Sequence, residues 1–180
     1  MIIGITGTLG SGKGTVVEYL VKKGFTHYSV RDFLVKEIEK RGLEKNRDTM
    51  LLVANDLRAT YGPGYIAEEL MQEAKKHSGN AVIESIRSLG EGAIIKAGNG
   101  VMWAVDADMP VRYQRITKRG TVTDAVSYEK FMQDEQAEYN NDDPAKNNLK
   151  KLIETADVVF LNNGTPTALF AQVEKALTNA

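Results

Sequence analysis

Short β-branched runs alternate with longer amphipathic stretches along the 180 residues. The apolar runs predict strands at residues 2–6, 27–30, 81–84, 101–106 and 157–161. Three of them, IIGIT, VMWAV and DVVFL, are nearly continuous rather than alternating. Strands covered on both faces read this way. Helical spacing predicts helices over residues 12–23, 31–41, 49–60, 65–77, 109–119, 127–139, 145–155 and 165–178. Strands separated by helices imply right-handed βαβ units and a parallel sheet with helices on both faces. Gly24 suits the C-terminal end of the first helix. Thr165-Pro166 suits an N-cap followed by proline at the first helical position. Gly62-Pro63-Gly64 breaks the chain between two helices. Asp142-Asp143-Pro144 separates another pair, with Asp143 as the N-cap. Neither a repeat nor a proline-rich linker divides the chain, so one domain is expected.

Composition narrows the chemistry. The chain has no cysteine and two histidines, His27 and His77. Disulfide scaffolds, thiolate zinc sites and cysteine nucleophiles are excluded. Lys+Arg is 23 and Asp+Glu is 24, a net charge of -1. That balance argues against a nucleic-acid partner. No apolar run reaches the roughly 18 residues of a membrane span. A cytoplasmic protein acting on small molecules is the expectation; oligomeric state is not legible.

Residues 7–15 carry the most specific pattern: Gly7-Thr8-Leu9-Gly10-Ser11-Gly12-Lys13-Gly14-Thr15. A strand precedes them and an amphipathic helix follows. Gly7, Gly10, Gly12 and Gly14 allow a tight backbone curl whose N–H groups point inward as an anion nest. The helix N-terminus adds partial positive charge. Lys13 can then reach terminal phosphates, and Thr15 can offer its hydroxyl to magnesium. The strict P-loop has Ser or Thr directly after the lysine; here Gly14 intervenes. A guanine-reading Asn-Lys-x-Asp segment is missing. The strand AVIE ends in a single carboxylate, Glu84, followed by Ser85, rather than in the Asp-Glu of AAA-type and motor ATPases.

The GKGT loop and several later segments resemble the nucleoside monophosphate kinase family over most of the chain. Ser29-Val30-Arg31-Asp32-Phe33-Leu34 is similar to that family's Ser-Thr-Gly-Asp-Met-Leu. Glu84-Ser85-Ile86-Arg87 is similar to its Asp-Gly-x-Pro-Arg. The resemblance implies an α/β P-loop three-layer fold with a five-stranded parallel sheet in the order 2-3-1-4-5. It implies a helical acceptor-binding insert over about residues 31–78 and a short lid over about 120–143. ATP and Mg2+ are the implied cofactors. Residues 7–15 would hold the phosphates, and Asn163, in the loop after the last strand, would lie by the adenine. Thr15, Asp32 and Glu84 would organise magnesium. Arg31, Asp32, Arg58 and Arg87 would receive the acceptor, Arg31 because Val35 stands where the family has an arginine. Arg58 shares a helical stripe with Leu51 and Asn55. Lys13, Arg87, Arg115 and Arg119 would be catalytic.

Arg112, Arg115 and Arg119 fall on one helical face. The resemblance picks out the latter two as neutralising the transferring phosphoryl group. Arg112 reads instead as surface charge. The 24 residues from Gly120 to Asp143 hold seven acids against one base, Lys130, a net charge of -6. This lid has no arginine, and Lys146, Lys150 or Lys151 are the candidates to replace it. Its acids read as a solvated helix face. ATP-dependent phosphoryl transfer to a nucleoside monophosphate is the leading expectation. A dephospho-coenzyme A kinase, which the C-terminal segment also resembles, and a nucleotide-binding regulator are the alternatives.

Overall fold

The computed structural model describes residues 1–77, 79–120, 127–141, 143 and 145–179. Its sheet contains β1 (Ile2–Gly7), β2 (Thr26–Ser29), β3 (Ala81–Glu84), β4 (Val101–Asp106) and β5 (Val158–Leu161). All pairs are parallel, in the order β2-β3-β1-β4-β5. The expected architecture and strand order are therefore present. β1 sits between β3 and β4, so the loop that leaves its C-terminal end lies at the centre of the molecule.

Two apolar layers sandwich the sheet. On one face α1 (Lys13–Lys22) and α9 (Pro166–Thr178) cover Ile3, Ile5, Trp103, Val105 and Phe160. Trp103 is buried and packs edge-to-face on Phe160 at 5.2 Å, so it is core rather than a ligand platform. On the other face lie α2 (Val30–Lys40), α3 (Arg47–Tyr61), α4 (Tyr65–Lys76), α5 (Leu89–Ala97) and α8 (Leu149–Glu154). They close over Ala81, Ile83 and Met102. α6 (Met109–Arg119) and α7 (Tyr128–Tyr139) stand beyond the C-terminal end of β4. Among the described residues, no helix is long and apolar enough to cross a membrane.

Local punctuation mostly acts as the sequence implies. Gly24 takes φ +89 just past α1, where the N–H of Phe25 returns to the carbonyl of Leu20. Thr165 caps α9 by accepting from the N–H of Ala168. Two boundaries differ. α3 begins at Arg47, two residues early, because Asn46 caps it by accepting from Thr49 N–H at 2.8 Å. α8 begins at Leu149, not near 145, with Asn148 rather than Asp143 as its cap. Asp143 accepts from the N–H groups of Ala145 and Lys146 in a local turn. Asp142 and Pro144 lie outside the described residues, as do 121–126 of the expected lid.

Helix α5 is absent from the sequence-based reading. Gly90 and Gly92 lower its helical signal, yet packing against the Pro63 backbone requires the first. A Cβ on Gly90 would stand 2.5 Å from Pro63, and one on Gly92 would stand 2.8 Å from Leu152. A capping box at Ser88 and Glu91 starts the helix.

The same Glu91 anchors a buried network. Its side chain and that of Arg58 are 0% and 1% exposed. Arg58 donates to Glu91 Oε1 through Nε at 3.0 Å and Nη2 at 2.8 Å, and to Asn147 Oδ1 through Nη1. Glu91 Oε2 accepts from the N–H groups of Arg87 and Ser88. The pair thus joins α3 to the segment after β3. Removing one member strands a buried charge. Arg58→Ala should lower unfolding free energy by about 3–5 kcal/mol, measured by urea denaturation. A loss below about 1 kcal/mol would contradict this account.

Candidate active site

The loop between β1 and α1 is fitted to its surroundings so closely that two positions require glycine. Gly7 has φ +145, and a Cβ there would lie 2.1 Å from the carbonyl oxygen of Val105 on β4. Gly12 has φ +100, and a Cβ there would lie 2.3 Å from Asn162 Nδ2. Gly14 meets no such limit and faces the cavity. Thr8 is buried, and its hydroxyl donates to Asp106 Oδ1 at 2.8 Å, tying the loop to the end of β4. Asn162 donates from Nδ2 to the carbonyl of Ser11 at 2.8 Å. The Ser11 hydroxyl is buried without a partner among the described residues. Lys13 folds back so that its ammonium donates to the carbonyls of Gly7 and Thr8, both at 2.8 Å. Burial first, and then the Arg87 guanidinium, lower its pKa from 10.5 to about 7.

A cavity of about 760 Å³ runs from this loop to α2 and α3. Eight basic side chains line it (Lys13, Arg31, Lys45, Arg47, Arg58, Arg87, Arg115, Arg119) against five acidic ones (Glu18, Asp48, Glu84, Asp134, Glu138). That local excess stands out in a chain of net charge -1. The far wall is apolar, with Leu34, Val35, Met50, Leu51 and Ala54. The C-terminal ends of the strands open into this space, where ligands of open α/β sheets bind.

The expected residues divide. Thr15, Glu84, Arg31, Arg87, Arg115 and Arg119 all line the cavity with Lys13. Arg31 is exposed at the wall, and among the described residues one buried nitrogen of Arg115, Nη1, has no partner while Nη2 reaches Asn162 at 3.5 Å. Arg58 reaches the lining, but its donors are committed to Glu91 and Asn147, so it braces the fold. Asp32 lies outside the lining, exposed in the first turn of α2. Asn163 is exposed and accepts from Asp108 N–H, leaving Asn162 to contact the glycine loop. Among the described residues, no three His, Cys, Asp or Glu side chains gather into a metal-ligand group.

Sequence reasoning missed several contributors. His27 bonds Glu84 through Nε2 at 3.0 Å, across the β2–β3 pair. Arg47, at the start of α3, lines the cavity where Lys146, Lys150 and Lys151 do not. Three of the four acids of α7 are not on a solvated face, while Glu129 is exposed. Phe131 is buried, and Asp134, Glu135 and Glu138 continue its stripe at +3, +4 and +7, a periodicity the sequence did contain. Glu135 takes both terminal nitrogens of Arg112 at 2.6 and 2.7 Å, and Arg112 stacks over Phe131. Arg112 is therefore a buried strut rather than surface charge.

A family described as an AAA domain matches residues 3–142. The UPF0200 protein of Pyrococcus abyssi is 31% identical over 171 residues, spanning 91% of this chain and 88% of that protein. The chain belongs to the UPF0200 and AAA-domain families. The UPF0200 protein of Pyrococcus horikoshii is 28% identical over 185 residues. Among solved structures, TT1252 from Thermus thermophilus superposes with a TM-score of 0.71 at 22% identity, covering 99% of this chain and 97% of that one. Shikimate kinase from Aquifex aeolicus gives 0.55 at 15% identity, covering 99% and 97%. These likenesses establish a P-loop kinase-like fold. The narrower kinship with adenylate kinases rests on the motifs alone.

The His27–Glu84 pair makes stability depend on pH. The Glu84 hydrogen bond raises the His27 pKa above 6.5, despite partial burial. Burial would raise that of Glu84, but the hydrogen bond and charge of His27, with Lys13 and Arg87, hold it below 4.5. The stabilisation from His27 is full below pH 6.5 and is lost as pH rises through the raised folded value. That from Glu84 is present above pH 4.5 and is lost as pH falls through the lowered one. His27→Gln should flatten the stability–pH curve between about pH 6 and 8, measured by chemical denaturation. An unchanged slope would remove the pair from this role.

Proposed function

We propose that the chain is an ATP-dependent phosphotransferase that moves the γ-phosphoryl group to a small phosphorylated acceptor, a nucleoside monophosphate first. One observation carries the reading. A single cavity joins the glycine loop and Lys13 to an apolar wall between α2 and α3, with Arg31, Arg47 and Arg87 along its cationic lining. A base suits the apolar wall, and a phosphate suits guanidinium forks. The partners are small nucleotides of the cytoplasm, not nucleic acid or membrane.

The loop amides and Lys13 hold the β,γ-phosphates, and the orphaned Ser11 hydroxyl lies within that loop. A lysine whose pKa is lowered to about 7 regains its charge as a polyphosphate arrives. Thr15 and Glu84 would hold Mg2+, which keeps several waters and takes few protein ligands. The fit is supported by a Glu84 carboxylate kept ionised at the cavity wall. Bound there, the ion would offset charge on the phosphates. Arg115 and Arg119 extend from α6 along the same wall to neutralise charge during transfer. A phosphate acceptor requires little help in losing a proton. The competing reading, a nucleotide-binding regulator with little turnover, draws on the carboxylates that α7 sets against the site arginines.

Coupled ADP-release assays across nucleoside monophosphates and dephospho-coenzyme A test the proposal. One acceptor should raise turnover well above ATP hydrolysis, and Lys13→Ala should cut that rate at least about 100-fold. ATP binding without acceptor-dependent turnover would leave the regulator reading in its place.

A further inference from the structure

Helix α7 delivers a carboxylate into the cavity wall. Glu138 is only 12% exposed, and its two oxygens face two different guanidinium groups. Oε1 accepts from Arg47 Nη2 at 2.8 Å, and Oε2 accepts from Arg87 Nη1 at short range. Arg47 also reaches Asp134 Oδ2 at 3.3 Å, while Asp134 pairs with Lys130. Burial penalises the Glu138 carboxylate, yet Arg87 and Arg47, with a contribution from Lys13, hold its pKa below 4.5. The carboxylate thus sits within the field of the P-loop lysine.

The two arginines come from separate elements. Arg47 opens α3, and Arg87 follows β3, where its main chain is pinned by Glu91 and by the N–H of Asn148. Their guanidinium groups converge on one point, and the atom group at that point is a planar oxyanion. Two oxygens of a phosphate monoester present the same pair of acceptors with more charge. α7 itself is attached to α6 along the earlier turns of the same stripe. Glu135 holds Arg112, and Phe131 and Tyr128 pack on Tyr113 of α6. The Glu138 hydrogen bonds can therefore break while the packing on α6 persists.

We infer that Arg47 and Arg87 form a seat for a phosphate monoester, and that Glu138 is an internal surrogate which the incoming phosphate must displace. The identity of the anion as an acceptor phosphate rests on the phosphotransferase reading; the competition does not. Displacement reduces apparent affinity to its intrinsic value multiplied by the fraction of time the seat is free. It also links occupation of the seat to release of the α7 end.

Inorganic phosphate is the probe, titrated calorimetrically into the full chain carrying Lys13→Ala so that the glycine loop contributes little. Glu138→Gln keeps shape and removes charge. It should tighten phosphate binding about tenfold, the scale expected when the competing carboxylate no longer makes a charge-assisted hydrogen bond. Adding Arg47→Ala should abolish the gain, with circular dichroism confirming that each variant is folded. Phosphate bound no tighter by Glu138→Gln overturns the surrogate, and a gain that survives Arg47→Ala overturns the seat. Turnover assays on the chain with Lys13 intact report separately. A tightened seat in a protein without acceptor-dependent turnover keeps this inference and removes the kinase reading; turnover with an unchanged seat does the reverse.

Discussion

Gathering eight cationic side chains around one cavity is the constraint to which the surrounding structure answers. Like charges so confined repel, and the repulsion grows as water is excluded. The chain meets it in three ways. It buries one arginine, Arg58, in a complete ion pair. It lowers the proton affinity of Lys13. It lays an acidic helix, α7, against two of the others, Arg47 and Arg87. Asp134 and Glu138 of α7 are thus part of the counterpart of the basic cavity. Sequence-distant charges, neutral in sum, become complementary surfaces.

The glycine loop is the geometric centre of this arrangement. β1 is flanked by β3 and β4, so the ends of both neighbours bound the loop. The end of β3 brings Glu84, with His27 beside it, and then Arg87. The end of β4 brings the Val105 carbonyl and Asp106, which hold Gly7 and Thr8. Asn162, after β5, closes the loop from its other side. Ser85 has φ +73 at the turn where β3 gives way to this chemistry. A left-handed non-glycine residue costs roughly 1–2 kcal/mol, and strain of this kind gathers where a fold aims side chains at a site.

Local signals were legible wherever backbone chemistry follows from a few adjacent residues. Continuous β-branched runs marked every strand to within a residue or two. The P-loop was legible because its conformation is encoded in nine consecutive residues. Signals failed where packing overrules propensity. α5 carries two glycines that read as breaks, yet Gly90 is demanded by the close approach of the Pro63 backbone. Asp143 looks like a cap, but the helix begins only at Leu149, which enters the core with Asn148 as its cap.

The roles of the charged residues separate most clearly along this line. Sequence by itself determined the sheet order's building blocks, the phosphate cradle and the set of basic residues from which a site could be drawn. Only the tertiary structure decided which arginine braces and which faces the cavity. Arg58 and Arg47 lie on the same helix, yet one is sealed against Glu91 and the other opens toward Glu138. Periodicity assigns a side chain to a helix face, but the partner across that face comes from 33 or 91 residues away. A charge acquires its role from that partner and from the water left around it, and neither is written within reach of a local pattern.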